Sequence, residues 1–364
     1  MGKGLFYDGN LYSINEWVEM IVTFCKKNPS EKELFSEFPK RPELGQMVTA
    51  GVIFEKNGSF FVAESVKILP SAENVLTAVT FYFGFQCNLN CRHCHSRIMA
   101  KDSHEEMDEM QAKHIANEII KAKPLTVRLG GGEPLMRNDF LPIISQFNAA
   151  GITISFTTNG WFLNREIAQA ITQFKHLEPV RLSIHGFGEE HDDFTRVPGS
   201  FLRLQKAQRN LKDHGLEHKF VVVISRQTEP NILHFIDFSE SSGAEGILFR
   251  ALKPSGNASE DQLLRPDEWR AVYDLIQREA KRRKIRVDFS PSGPPVTRYI
   301  GLDQKCLCGR NTLTVRPSGD YSACGIYFDT IGNVLEGNLD KVWLNSPKLK
   351  SIREGDCPCE RKKL

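Results

Sequence analysis

Cys87, Cys91 and Cys94 fall in the run Phe85-Gln86-Cys87-Asn88-Leu89-Asn90-Cys91-Arg92-His93-Cys94. Three thiolates on so short a loop can hold three corners of a 4Fe–4S cube. The fourth iron is then open to a ligand from outside the chain, as an open coordination position makes a metal site catalytic. A zinc knuckle is the alternative use of clustered cysteines. The other cysteines are segregated: Cys25 stands alone, none lies between 94 and 306, and five follow at 306, 308, 324, 357 and 359. Two separate cysteine sites are expected, with Cys25 a small core residue.

The elements that must position these residues read as repeated strand–helix units. Apolar, β-branched or aromatic runs occur near 78–85, 126–130, 152–157, 180–184, 219–225 and 246–252. Helical periodicity falls at 106–122, 139–149, 164–174, 200–214 and 231–242. Strands alternating with helices give a parallel sheet with right-handed crossovers. Ligands then bind at the carboxyl ends of the strands.

Those ends carry polar loops. After the second strand comes Gly130-Gly131-Gly132-Glu133-Pro134, whose glycines would let the backbone approach a ligand and whose carboxylate could meet an ammonium. As a charged residue on a strand-end loop, Glu133 is expected to serve a ligand rather than the fold. The third strand ends in Thr157-Thr158-Asn159-Gly160 and the fourth in Ser183-Ile184-His185. Their hydroxyl, amide and imidazole groups could bond a ribose or carboxylate. Composition is that of a globular protein, with a net charge of +2 that gives no reason to propose nucleic acid or a membrane as partner. No signal peptide and no apolar run long enough to span a bilayer is seen, so a cytoplasmic protein is expected, whose cysteines bind metal rather than pair.

The cysteine triplet and Gly131-Gly132-Glu133-Pro134 together resemble the radical S-adenosylmethionine (radical SAM) enzymes. The resemblance implies a partial (β/α)6 TIM-like barrel over 76–290, a 4Fe–4S cluster on Cys87, Cys91 and Cys94, and S-adenosylmethionine bound at its open iron. It implies cofactor contacts from His93, Gly131, Gly132, Glu133, Asn159, Ser183, Arg196 and Arg250. Within the similar stretch His191-Asp192 to Gly199-Ser200-Phe201, Ser200 is expected as a helix N-cap and Arg196 as a donor to the cofactor carboxylate. His185 stands where many relatives have Asp, and is a candidate substrate contact or proton shuttle.

The C-terminal region, 291–364, resembles the twitch/SPASM extension of the same enzymes, through Cys306-Leu307-Cys308-Gly309, Gly319, Cys324, Gly332-Asn333, Trp343 and Cys357-Pro358-Cys359. One auxiliary 4Fe–4S cluster is implied, which makes "twitch" the expected label. Its ligands would come from Cys306, Cys308, Cys324, Cys357 and Cys359. Either Cys306 or Cys308 is then the surplus thiol, and Cys308 is also a candidate thiol donor in the chamber. Residues 1–75 match none of these motifs. Helical patterns at Ile14–Lys26 and Ser30–Phe38, a short segment at Glu43–Ala50 and a hairpin signal turning at Asn57-Gly58 would suit a winged-helix-like module.

The resemblance leaves three functions open. One is hydrogen abstraction from a ribosomally made precursor peptide, giving a crosslink, epimerisation or related change. Another is dehydrogenation or epimerisation of a small molecule such as an aminocyclitol or sugar. The last is a metal-binding scaffold with no activity. Either enzyme would take electrons from a donor such as flavodoxin or ferredoxin.

Overall fold

The computed structural model describes residues 3–7, 10–14, 21–22, 25–27, 29–30, 33–34, 53–56, 59–62, 67–69, 75–96, 107–290, 296, 307–325, 329–337 and 339–354. The chain divides into two compact units, Met1–Thr77 and Ala78–Leu364.

In the first unit β1 (Lys3–Tyr7) pairs antiparallel with β2 (Asn10–Ile14) and with β5 (Lys67–Leu69). The strands of the hairpin expected around Asn57-Gly58 are present as β3 (Ile53–Lys56) and β4 (Ser59–Val62). β2 runs to Ile14, so the helix expected from Ile14 begins later, with Ile21, Val22 and Cys25 helical. Cys25 is buried, which pushes its thiol up to about 11, as suits a core residue. The segment Glu43–Ala50 and the turn Asn57-Gly58 lie outside the described residues.

The second unit is built on a ten-stranded sheet. The six expected strands are β6 (Ala78–Tyr82), β7 (Thr126–Gly130), β8 (Thr153–Thr158), β9 (Val180–Ser183), β10 (His218–Ile224) and β11 (Gly246–Ala251), all parallel and adjacent in chain order. The sheet extends past them at both ends. β12 (Arg286–Ser290) adds parallel to β11, and β13 (Thr312–Val315) adds parallel to β6, followed by antiparallel β14 (Asp320–Ser322) and β15 (Thr330–Asn333). The cysteine-bearing C-terminal region therefore continues the barrel sheet.

Along these strands buried apolar residues alternate with polar ones. Val79, Phe81, Val127, Leu129, Ile154, Phe156, Leu182, Phe220, Val222, Ile247 and Phe249 are buried. The alternate residues Thr80, Tyr82, Arg128, Ser155, Thr157, Arg181, Ser183 and Arg250 line a cavity of about 480 Å³. Strands buried on both faces read as continuous apolar runs, so this alternation marks a polar interior.

The helices are α1 (Glu109–Lys121), α2 (Phe140–Ala149), α3 (Arg165–Ile171), α4 (Glu189–Thr195), α5 (Ser200–Asp213), α6 (Ile232–Ser241) and α7 (Pro266–Arg282), then α8 (Leu339–Asn345) and α9 (Pro347–Glu354). α1 is typical: Asp108 caps it by accepting from Gln111 N at 2.8 Å, and Ala112, Ile115, Ala116 and Ile119 form its buried stripe. At α5 the capping differs from expectation. Ser200 is already helical, and the Asp192 carboxylate takes the N-cap role, accepting from Gly199 N (2.6 Å), Phe201 N (2.8 Å) and Ser200 Oγ (2.9 Å). Gly199 in the N-cap position has no side chain to offer, and a carboxylate at a helix start also gains from the dipole.

Candidate active site

The strand-end loops interlock backbone to backbone. Gly132 N donates to Gly84 O and Glu133 N to Gln86 O, each at 2.8 Å. A Cβ on Gly131 would lie 2.1 Å from Gly84 O, and one on Gly132 would lie 1.9 Å from Gln86 O. Gly131 also has φ +108°. These glycines thus serve the approach of the loop after β6, and both still line the cavity.

Glu133 is buried and pinned. Its carboxylate accepts from Thr158 Oγ1 (2.7 Å), Asn159 N (2.8 Å) and Leu135 N (3.1 Å). Burial raises its pKa to about 7 in spite of those donors. The expectation that Glu133 serves a ligand rather than the fold is therefore corrected: it also ties the end of β8 to the loop after β7. Asn159 continues the tie, with its amide nitrogen 2.9 Å from Asn88 Oδ1 and 3.9 Å from Cys87 Sγ.

The cysteine loop is held from two sides. Asn90 N donates to Thr195 O and Arg92 N to Phe194 O, at the end of α4. From the loop after β11, Asn257 N donates to Cys94 O (2.9 Å) and its side chain to Cys91 O (3.0 Å). Gly256, at φ +68°, makes room, since a Cβ there would lie 2.3 Å from Cys94 O. Cys87, Cys91 and Cys94 all line the cavity. Leu89 N–H points at Cys87 Sγ across 3.4 Å, a donor suited to a charged sulfur.

Beside the thiols sits a stack of rings. His93 and His185 have centroids 4.4 Å apart, and both pack on Phe194 at 5.1 and 4.8 Å. Burial lowers the His93 pKa to about 3 and holds His185 well below its ordinary value, so both are neutral near pH 7. The Nδ1 atoms of both are buried without a hydrogen-bond partner. On the other side Tyr82 Oη lies 3.3 Å from His95 Nε2 and donates to Gly325 O at 3.2 Å. Tyr82 thus bridges a neighbour of Cys94 and a neighbour of Cys324. Cys308 and Cys324 line the same cavity.

Comparison with known proteins decides the family. Residues 81–239 match the Radical SAM superfamily and residues 306–362 the SPASM iron-sulfur cluster-binding domain. Mycofactocin maturase MftC of Mycobacterium ulcerans is 30% identical over 287 residues, covering 76% of this chain and 76% of that protein. The chain belongs to the radical SAM superfamily. An AdoMet-dependent heme synthase of Methanosarcina barkeri is 25% identical, over 76% of this chain and 86% of that protein. Among solved structures, Streptococcus suis SuiB has the same fold, with TM-score 0.66 and 15% identity over 94% of this chain and 85% of that one.

As a radical SAM protein the chain requires a 4Fe–4S cluster and S-adenosylmethionine, and the residues present fit both. Three thiols on one cavity wall suit the cluster, and the partnerless His93 and His185 nitrogens are donors or acceptors for a bound molecule.

The radical SAM cavity gathers most residues expected from the sequence: His93, Gly131, Gly132, Glu133, Asn159, Ser183, His185, Arg250 and Cys308 all line it. Arg196 does not. It ends α4 in the left-handed conformation, with φ 59°, exposed and outside the cavity lining. Its neighbour Thr195 faces the cavity in its place. Cys306, Cys357 and Cys359 lie outside the described residues. The cavity also contains Tyr82, His95, Arg128, Arg181 and Lys253, none of them expected as site residues. Arg128 and Arg181 had a visible signal: each is a charged residue inside an otherwise apolar strand, in Thr126-Val127-Arg128-Leu129 and Val180-Arg181-Leu182.

Proposed function

We propose that this radical SAM enzyme modifies a ribosomally made peptide, abstracting hydrogen from one of its residues. When bound, S-adenosylmethionine at the cluster supplies the 5′-deoxyadenosyl radical for that step. Cys87, Cys91 and Cys94 would hold the cluster, and Gly131, Gly132, Ser183, Arg250 and the ring of His93 would surround the cofactor. Glu133 and Asn159 hold the strand-end loops in register beneath it. Neutral His185, packed beside His93, can accept or donate one hydrogen bond toward substrate without adding charge. Cys308 and Cys324 would ligate one auxiliary 4Fe–4S cluster together with cysteines of the C-terminal tail, or leave one thiol free in the chamber.

The observation that carries this reading is the extent of the match to SuiB. It covers 94% of the chain, so it reaches into the first unit, whereas the match to anSMEcpe covers 75%. SuiB has been crystallised bound to the precursor peptide SuiA. The first unit of this chain offers an antiparallel sheet and a hairpin, elements to which an extended peptide can add as a strand. The second reading, a small-molecule substrate, draws on the similarity to AdoMet-dependent heme synthases. Electrons would come from flavodoxin or ferredoxin, in the cytoplasm, with neither nucleic acid nor membrane as partner. No helix among the described residues is long and apolar enough to cross a membrane.

The test is mass spectrometry of the short peptide encoded beside the gene, after incubation with anaerobically reconstituted protein, S-adenosylmethionine and dithionite. A cofactor-dependent change in peptide mass is expected. An unchanged peptide, with cofactor cleavage stimulated by a small molecule instead, would overturn the reading.

A further inference from the structure

The floor of the chamber is cationic to a degree that cofactor binding at the strand ends does not use. Arg128 and Arg181 stand two residues before Gly130 and Ser183, one side-chain layer deeper than the strand-end loops. In the sheet, Arg128 is level with Thr80 and Ser155, and Arg181 with Thr157. Arg250, near the end of β11, lines the same cavity, and burial together with Arg181 and Arg128 depresses its pKa. Three guanidinium groups thus share one lumen, with Lys253 also on its lining.

Their compensation is incomplete. Arg181 pairs with Glu178 at 2.6 Å, and that carboxylate and the Cys308 thiol are the acidic groups that act on Arg128. Neither Arg128 nor Arg250 makes an ion pair or a side-chain hydrogen bond with any described residue. The one carboxylate on the lining among the described residues, Glu133, is consumed by Thr158, Asn159 and Leu135. Like charges held together in a low-dielectric site are costly unless something pairs them. A planar guanidinium matches a carboxylate bidentately, and two or three of them around one lumen define a site for that group.

We propose that Arg128, Arg181 and Arg250 form a recognition site for a carboxylate of the substrate, so that the peptide enters the chamber by an acidic group. This deepens the peptide reading given above and rests on it. The group is either the C-terminal carboxylate or an Asp or Glu side chain, and its capture at the floor would set which neighbouring residue lies under the cofactor. Val221, Val223, Phe156 and Leu252 on the lining supply apolar contact for the residue that carries it.

The test uses the anaerobically reconstituted full chain and three N-acetylated tripeptide probes: one with a free C-terminus, its C-terminal amide, and an amide with a central Glu. Affinities are measured by calorimetry at two salt concentrations, beside that of S-adenosylmethionine. The parent should bind one of the two carboxylate probes about tenfold or more tightly than the neutral amide. Which of them is favoured identifies the group. In Arg128→Gln the preference should fall to about one, with cofactor affinity and iron content as in the parent, and Arg128→Lys should restore part of it. Arg250→Gln, a second variant whose cofactor affinity is measured beside it because Arg250 also stands by the cofactor, should likewise abolish the preference. Without any carboxylate probe, Arg128→Gln should unfold at the parent's temperature or above it, because it removes an uncompensated buried charge.

Equal binding of all three probes would overturn the proposal. So would loss of cofactor affinity in step with probe affinity in Arg128→Gln, which would make the cofactor's carboxylate the anion. Loss of auxiliary iron with the probe preference intact would assign the arginines to that cluster instead. A carboxylate preference with no peptide modified removes the peptide reading and leaves the anion site standing. A modified peptide with no such preference does the reverse.

Discussion

Replacing Glu133 by Gln should change how stability depends on pH, and in a direction opposite to most carboxylates. In the folded protein burial holds the carboxyl near pKa 7, against an ordinary 4.5. A raised folded pKa means the folded state keeps the proton where the unfolded chain has lost it. The associated stability is fully present below about pH 4.5, declines as pH rises, and is gone above about pH 7. The full range is about 3 kcal/mol, of which about 2.5 kcal/mol lies between pH 5 and pH 8. Gln cannot ionise, so its contribution is flat. It keeps an oxygen for Thr158 and Leu135 but turns an NH₂ toward the Asn159 N–H, which costs about 1–3 kcal/mol at any pH. Urea unfolding of both proteins without cofactor, at matched iron content, should show the variant less stable at pH 5. By pH 8 the deficit should shrink by about 2.5 kcal/mol or reverse. A difference that stays constant across that range would refute the claim that the folded state resists ionising this carboxyl.

Gly131→Ala and Gly132→Ala should each drive the loop after β7 away from Gly84 and Gln86, because the new methyl meets a carbonyl oxygen at 2.1 or 1.9 Å. Iron content and thermal midpoint should fall together, the latter by an amount corresponding to roughly 2–4 kcal/mol; an unchanged midpoint would contradict the interlock. Asp192→Ala should destabilise by about 1–2 kcal/mol through loss of the α5 cap. Its pKa is lowered in the fold by hydrogen bonds from Phe201, Gly199 and Ser200 that outweigh burial. The cap's stabilisation is therefore present above the ordinary carboxylate pKa and lost as pH falls through the folded value, so denaturant midpoints of parent and variant should converge in acid.

Much of the scaffold was legible because strand and helix periods alternate cleanly between 78 and 251, and the polar loops fall where a parallel sheet places its ligands. β12, α7 and the pairing of β13 are not legible, since nothing local tells a strand that it will pair with β6 across more than two hundred residues. β1 and β2 were missed although Asp8-Gly9 between two alternating segments is a hairpin signal. At the site, residue types were easier to read than roles. The glycines of the Gly-Gly-Glu loop looked like ligand contacts, and the structure shows that they first admit another backbone. Arg196 looked like a cofactor donor because spacing alone cannot reveal that a helix ends one residue earlier in a left-handed turn toward solvent. Arg128 and Arg181 lie within strands β7 and β9, away from the polar strand-end loops that mark the site in the sequence.

The central claim is that Cys87, Cys91 and Cys94 carry a radical SAM cluster separate from the metal bound by the C-terminal cysteines. Iron content and reductive cleavage of S-adenosylmethionine, measured on anaerobically reconstituted parent and on the triple Cys→Ala variant, test it most directly. The parent should hold about eight irons and release 5′-deoxyadenosine, and the variant should hold about four and release none. Stoichiometric zinc without iron in the parent, or 5′-deoxyadenosine from the variant, would contradict the account.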